Sequence, residues 1–402
     1  MKRSDHQRNI LLGLALTAAS VLPAVLSSTG TPSPSTALVT PPVTTVTIAA
    51  TAHSGTVSGL ADGKLQIHFM DVGQGDGAIL ISPQGETVLF DTGKRNNCDL
   101  PVSYLQQLGI SKIDYLVASH YHDDHIGCVT DVLSDFPLQQ AAYDRGGNYS
   151  SATFQNYVTT VGSKRQTATA GTTITLDSGS ANPVRIEFAA VNGNGVSTTN
   201  ENDLSVVAVV RFGSFDAVIA GDLSGFKTGS YEDIETSVAP KVGQVEVYKV
   251  DHHGSQYSSN DVWLATIKPK IGIISTGVGN KYGHPTPECL ERLHAAGVKT
   301  YWTEVGEGVE PEPAFDVVGK NIVVEAAPGD STFTVAYGSG QLDSYSVWGS
   351  VGGTTASPYA WSKNSSVYHL AGCKYVQNIS AANLQKGNAP PAGKTLHVGC
   401  PK

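Results

Sequence analysis

The sequence predicts an α/β fold of two packed β-sheets covered by helices. Short apolar runs bounded by Gly, Pro, Asn and Asp come in groups, and helical patterns are inserted between the groups rather than gathered at one end. Composition agrees: 43 Gly and 20 Pro in 402 residues, with abundant Thr, Ser and Val, favour strands and turns over long helices. With 40% hydrophobic and 15% charged residues the chain is neither disordered overall nor a coiled coil, and its length suits two or three domains.

Residues 1–26 read as a secretory signal: Lys2, Arg3 and Arg8 form a basic start, Ile10 to Leu22 an apolar stretch, and Pro23-Ala24-Val25 a break before small residues. The body is therefore expected to be secreted, outside the cytoplasm, without a stable membrane span once the signal is cut. Residues 27–63, rich in Thr, Ser, Pro and Val, read as an extended linker. Residues 64–340 carry the main domain. Leu65 to Val72, Ala78 to Ser82 and Thr87 to Asp91 read as successive strands, Pro101 to Leu108 as a helix and Tyr115 to Ser119 as a buried strand. Ile126 to Leu133, Asn260 to Ile267 and Pro287 to Ala296 have helical spacing. Val184 to Ala190, Ser205 to Phe212, Ala217 to Ala220, Val245 to Val250 and Ile271 to Ser275 read as strands, and strand pattern persists from Pro328 to about Gly340. Residues 341–358 read as a second linker and 359–402 as a small Cys/His module.

Residues 1–30 carry a local +2, from Lys2, Arg3 and Arg8 against Asp5, which leaves −11 on the remainder of a chain of net charge −9. An acidic body argues against a basic groove for duplex nucleic acid. Export makes disulfides the default for the five cysteines. Position pairs Cys98 with Cys128 and Cys373 with Cys400, leaving Cys289 buried on a helix.

The chemistry is concentrated in Ser119-His120-Tyr121-His122-Asp123-Asp124-His125-Ile126-Gly127, which follows an apolar strand and opens a helix. Three imidazoles and two carboxylates in six residues are what a divalent metal site requires. His120 and His122, two apart on an extended segment, point the same way; Asp124 and His125 lie where the chain turns. Asp222 ends one strand and His252-His253-Gly254-Ser255 ends another, so both reach one sheet edge.

Together with Asp91 in Phe90-Asp91-Thr92-Gly93, these motifs resemble the metallo-β-lactamase superfamily, whose αββα sandwich binds two metal ions at one edge. Phe69-Met70-Asp71-Val72-Gly73-Gln74-Gly75-Asp76, Asn202-Asp203-Leu204-Ser205, His252 to Ser255 and Asn280-Lys281-Tyr282-Gly283-His284-Pro285 more narrowly resemble the hydrolase domain of ComEC-type competence proteins, over about residues 65 to 305. The resemblance implies that His120 and His122 hold a first metal, Asp124 and His125 a second, and that Asp222 bridges them. One of His252 and His253 completes the second site. The His-Gly step and the alternation of a strand favour His253, with His252 left facing substrate or standing behind the ligands. Asp91 orients a ligand. Asp71, Gln74, Asp76, Asn202, Ser255, Lys249 and Asn280 support the site or meet substrate.

The chain departs from the superfamily in one respect: no His lies between His125 and His252, and Asn202 stands at the matching place. A site poorer in nitrogen favours Mn(II) relative to Zn(II) and leaves the metal open between them. The resemblance implies hydrolysis of a phosphodiester such as DNA, with hydroxide available at neutral pH through two ions. Asp124 would accept a proton, and His284 would hydrogen-bond a phosphate oxygen or protonate the leaving group. The alternatives are an amide, ester or lactone hydrolase, and a non-catalytic binding protein. The tail, with His369-x3-Cys373 and His397-x2-Cys400, resembles Ada-type metal-binding tails; either a structural zinc or a Cys373–Cys400 disulfide would close it.

Overall fold

The computed structural model describes residues 60–349, 359–370, 379–380, 383–387, 391 and 393–397. The predicted signal and nearly all of the first linker lie outside them, as do Cys373 and Cys400. Strands β1 (Leu65–Phe69), β2 (Ala78–Ile81), β3 (Thr87–Phe90), β4 (Ile113–Val117), β5 (Leu138–Asp144) and β6 (Arg165–Thr167) build most of one sheet. The chain then crosses to a second sheet through β7 (Thr173–Leu176), β8 (Val184–Ala190), β9 (Val207–Phe212) and β10 (Phe215–Ile219), and makes a hairpin of β11 (Gly225–Thr228) and β12 (Tyr231–Asp233). The second sheet continues in β13 (Val247–Lys249), β14 (Ile271–Ile274), β15 (Lys299–Trp302) and β16 (Asp316–Val318). Finally β17 (Ile322–Ala326), β18 (Thr332–Tyr337) and β19 (Gln341–Ser346) return to the first, giving the order β19-β18-β17-β1-β2-β3-β4-β5-β6 against β16-β15-β14-β13-β10-β9-β8-β7.

Helices α1 (Asp99–Gln107), α2 (Asp123–Ile126), α3 (Val129–Asp135) and α4 (Ala152–Val161) flank the first sheet; α5 (Glu235–Val242), α6 (Asp261–Ile267) and α7 (Pro287–Ala295) flank the second. Three apolar cores mark the interfaces between layers. Phe69, Phe188, Val210, Ile273 and Phe333 fill the space between the sheets. Leu105, Val132 and Phe154 seal one outer face, while Val238, Trp263 and Leu293 seal the other. The architecture is an αββα sandwich. Each sheet is antiparallel in one half and parallel in the other, through β3 to β6 and β10 to β16. Loops leaving the carboxyl ends of parallel strands converge, and the crevice outside such ends is where α/β sheets bind ligands.

The structure shifts most predicted element ends by a residue or more, and three of the revisions have a visible cause or consequence. The helix predicted over Ile126 to Leu133 is split at Cys128, whose φ and ψ of −102° and 9° leave the helical region and whose N–H donates to Thr92 Oγ1 at 3.2 Å. Cys128 is also disulfide-bonded to Cys98, with Cα atoms 5.2 Å apart. The linker drawn from residue 341 begins later, because β19 pairs along its whole length with β18 and Trp348 Nε1 donates to Val245 O at 3.0 Å. The strand predicted to run to Val250 stops at Lys249. In the tail, β20 (Tyr359–Ser362), β21 (Val367–Leu370), β22 (Leu384–Gly387) and β23 (Thr395–Leu396) form a sheet, which brings the rings of His369 and His397 to 4.9 Å.

Candidate metal centre

Every predicted ligand of this centre lies beyond the carboxyl end of a strand in one of the two parallel halves. His120 and His122 lie in the loop after β4, Asp124 and His125 in α2 that follows it, Asp222 after β10 and His253 after β13. Asp222 is the meeting point. Its Oδ1 lies 3.3 Å from His125 Nε2 and 3.5 Å from His253 Nε2, and His253 Nε2 is 3.6 Å from Asp124 Oδ2. Its Oδ2 faces the other way, 3.9 Å from His120 Nε2, and His120 Nε2 is 3.0 Å from His122 Nδ1. His125 Nε2, His253 Nε2 and Asp222 Oδ1 are buried with no hydrogen-bond partner.

Orphaned buried nitrogen and oxygen atoms are costly unless something pairs them. Bonds of about 2.1 Å in a tetrahedral set put neighbouring ligand atoms about 3.4 Å apart, the spacing found around Asp222 Oδ1. The donor set therefore fits divalent ions, with Asp124, His125 and His253 in one group, which Asp222 joins through Oδ1, and His120, His122 and Asp222 in the other.

The surroundings fix which nitrogen of each ring points inward. His125 Nδ1 donates to Asp91 Oδ2 at 2.8 Å, and Asp91 is held in turn by the Ser119 N–H (2.8 Å) and Oγ–H (2.7 Å). His253 Nδ1 donates to Ser275 O at 2.9 Å and lies 3.2 Å from Asp76 Oδ1. Both rings are thus turned with Nε2 toward Asp222. Burial disfavours charge on His253, but Asp222 and Asp76 outweigh it and push its pKa up to about 10; Asp222 and Asp91 likewise raise His125. The carboxylates that draw a proton onto these nitrogens draw a cation equally. Burial raises Asp124 and Asp222, yet the neighbouring imidazoles win and keep both ionised.

His252 and His253 do not alternate across a strand. Both lie in a tight turn with φ of 51° and 56°, which aims both rings into the cleft. Strand alternation therefore does not separate the two rings; the contacts to Asp124 and Asp222 Oδ1 single out His253 instead. His252 Nε2 lies 3.8 Å from Asp222 Oδ2 and accepts from Asn202 Nδ2 at 3.1 Å. Burial pushes its pKa down to about 4.

The remaining predicted residues divide by what they touch. Gln74 Oε1 accepts from Gly277 N at 3.2 Å and joins the two sheets' loops. Asp76 N donates to Asp124 O at 3.0 Å, an approach that requires Gly75, where a Cβ would lie 2.4 Å from that oxygen. Lys249, itself buried, pairs with Asp76 Oδ2 at 2.7 Å. Asp71 is not brought to the ligands: it pairs with Lys320 at 3.1 Å and caps Gly73 N. Ser255 closes the histidine turn by donating N–H to His252 O at 2.9 Å. Asn280 clamps His284 through its N–H and carbonyl at 3.0 and 2.8 Å. Burial and the two neighbouring imidazoles push the His284 pKa down to about 3.

Sequence reasoning missed the buried Arg145–Glu201 pair, with bonds of 2.7 and 2.6 Å. Glu201 also accepts from Tyr121 N at 2.9 Å, so it ties the loop of Asn202 to that of His120 and His122. It missed Tyr231 and Tyr257 too, and had Tyr282 only as part of the Asn280–Pro285 motif. Tyr231, Tyr257 and Tyr282 line the cleft of about 480 Å³ over the centre, beside Lys94, His122 and His252.

A profile of the metallo-β-lactamase superfamily matches residues 78–278. The chain is 29% identical over 234 residues to Recombination protein 2 of Haemophilus influenzae, which covers 57% of this chain and 26% of that protein. It is 25% identical over 257 residues to ComE operon protein 3 of Bacillus subtilis, covering 60% and 32%. The match thus spans a third or less of either relative. Among solved structures, the metallo-β-lactamase fold protein YhfI from Bacillus subtilis aligns at 13% identity and a TM-score of 0.40, covering 65% of this chain and 100% of that one.

Proposed function

The chain belongs to the metallo-β-lactamase superfamily, and from that premise we propose that it is a two-metal phosphodiesterase, acting outside the cytoplasm on nucleic acid. The observation that carries the reading is Asp222, whose two oxygens face two separate ligand groups. Two ions held there would supply Lewis-acid activation of water and neutralise charge building on the phosphoryl oxygens.

The chain's own residues do the rest. Asp91 and Asp76 keep His125 and His253 aimed. Asp124, held ionised by His253 and His125, is a carboxylate able to accept a hydrogen bond from attacking water. His284, kept neutral by burial, offers a hydrogen bond rather than a proton to a phosphate oxygen. Relatives named for recombination and for competence support DNA as the substrate. The Cys98–Cys128 disulfide supports an oxidising location, and no helix among the described residues is long and apolar enough to cross a membrane.

The test is hydrolysis of bis-p-nitrophenyl phosphate by protein reconstituted with Mn(II) or Zn(II), beside the double variant His120→Ala/Asp222→Ala. Metal-dependent turnover that disappears in the variant is expected. Protein that binds about two ions yet turns over no phosphodiester with either metal, while opening a chromogenic lactam, would overturn the reading.

A further inference from the structure

The cleft above the metal centre has an aromatic floor. Five rings follow one another across it: Tyr282 stacks on His284 (centroids 5.6 Å, planes 22° apart), His284 meets His252 edge-on at 5.4 Å, His252 lies 5.8 Å from Tyr231, and Tyr231 stacks on Tyr257 at 4.8 Å and 24°. The middle ring, His252, is the one beside Asp222, at 3.8 Å. The row therefore extends to both sides of the point where the ligand groups meet. Its outer members come from three separate segments, the β11–β12 hairpin, the loop after the histidine turn and the Asn280–Pro285 loop. Tyr282 is 64% exposed, so the face turned away from His284 is open to solvent.

Burying a ring against a ring is favourable, and leaving a tyrosine mostly in water beside an active cleft forgoes that gain unless a planar partner arrives. A substrate that is a phosphodiester with planar groups on both sides would satisfy the metal centre and the rings together. Double-stranded DNA would not, because its bases are already stacked and paired, and the acidic body offers it no basic groove. Resting on the phosphodiesterase reading, we infer that the site takes single-stranded nucleic acid, with the phosphate at Asp222 and the flanking bases stacked on Tyr282 at one end and on the Tyr231–Tyr257 pair at the other. Lys94, which lines the same cleft, would meet the backbone phosphates.

The experiment compares a short oligothymidylate with a strand of equal length carrying tetrahydrofuran in place of every base, on metal-loaded protein. Stacking predicts a KM for the ordinary strand lower by about tenfold or more. Tyr282→Ala should shrink that ratio severalfold, and Tyr282→Phe, which keeps the ring, should preserve it. Equal KM values for the two strands, or a ratio untouched by Tyr282→Ala, would overturn the inference while leaving phosphodiester hydrolysis standing. If neither strand is cleaved, the hydrolytic reading fails and fluorescence anisotropy decides the stacking: tighter binding of the ordinary strand supports it, and equal binding overturns it.

Discussion

Asp91 never faces the cleft, yet the centre depends on it. It receives the Nδ1–H of His125 and is itself held by two bonds from Ser119, so it fixes both the tautomer and the rotation of a ligand ring. Asp91→Asn keeps the shape but turns an anion into an amide whose NH2 can oppose the ring nitrogen. Affinity for the metal is expected to fall by roughly 10- to 100-fold, as measured by competition with a chromophoric chelator. An unchanged affinity would mean that Ser119 and packing alone orient His125. At this scale the sequence was largely readable, because His120, His122, Asp124 and His125 are contiguous and their chemistry is written in their spacing. The orientation of His252 and His253 was not. Positive φ at two adjacent non-glycine residues is sustained by the surrounding structure, here Asp222, Asn202 and Ser275, and leaves no local signal.

Loops placed by parallel strands need ties between them, and the Arg145–Glu201 pair is such a tie. Arg145 stacks 4.2 Å over the Tyr121 ring while gripping both oxygens of Glu201, and both charged groups are buried. Removing one partner of a buried pair strands the other. Arg145→Met is expected to lower stability by about 3–5 kcal/mol in urea denaturation. It should also weaken the metal centre, since Glu201 adjoins Asn202 and bonds to Tyr121 N. A loss below about 1 kcal/mol would show that water reaches Glu201 and replaces the guanidinium. Both residues look like ordinary surface charges in sequence, and their partnership spans 56 positions. The same limit hid β5 and α4. Leu138-Gln-Gln-Ala-Ala-Tyr-Asp lacks a clean alternation, and the helix over Ala152–Val161 carries three Thr and an Asn among its ten residues, although Ser151 Oγ caps it by accepting from Phe154 N at 3.0 Å. Val184–Ala190, apolar enough to fill the space between two sheets, was read with its true ends.

Across the whole molecule, buried histidines couple stability to pH. His68, on β1, is buried with its ring nitrogens 2.9 Å from Tyr104 OH and Gln66 Oε1, and burial pushes its pKa down to about 4. The unfolded chain binds a proton near pH 6.5, so the stability carried by the neutral ring is complete above 6.5 and is lost as pH falls toward 4. The full loss is about 3 kcal/mol. Urea midpoints at pH 7 and 4.5 should therefore diverge less in His68→Gln than in the unaltered protein; equal divergence would place the acid sensitivity elsewhere.

The first strand has a late partner. Leu65 pairs with Ala326 and Phe69 with Ile322, so one edge of β1 stays bare until the far end of the domain has been synthesised. Until then a strand of alternating apolar and polar residues, Leu-Gln-Ile-His-Phe, presents unpaired amides, a template for any other extended chain nearby. Closing a loop of this length is slow as well as late, so the β1 edge is the part of this sheet that stays open to other chains longest.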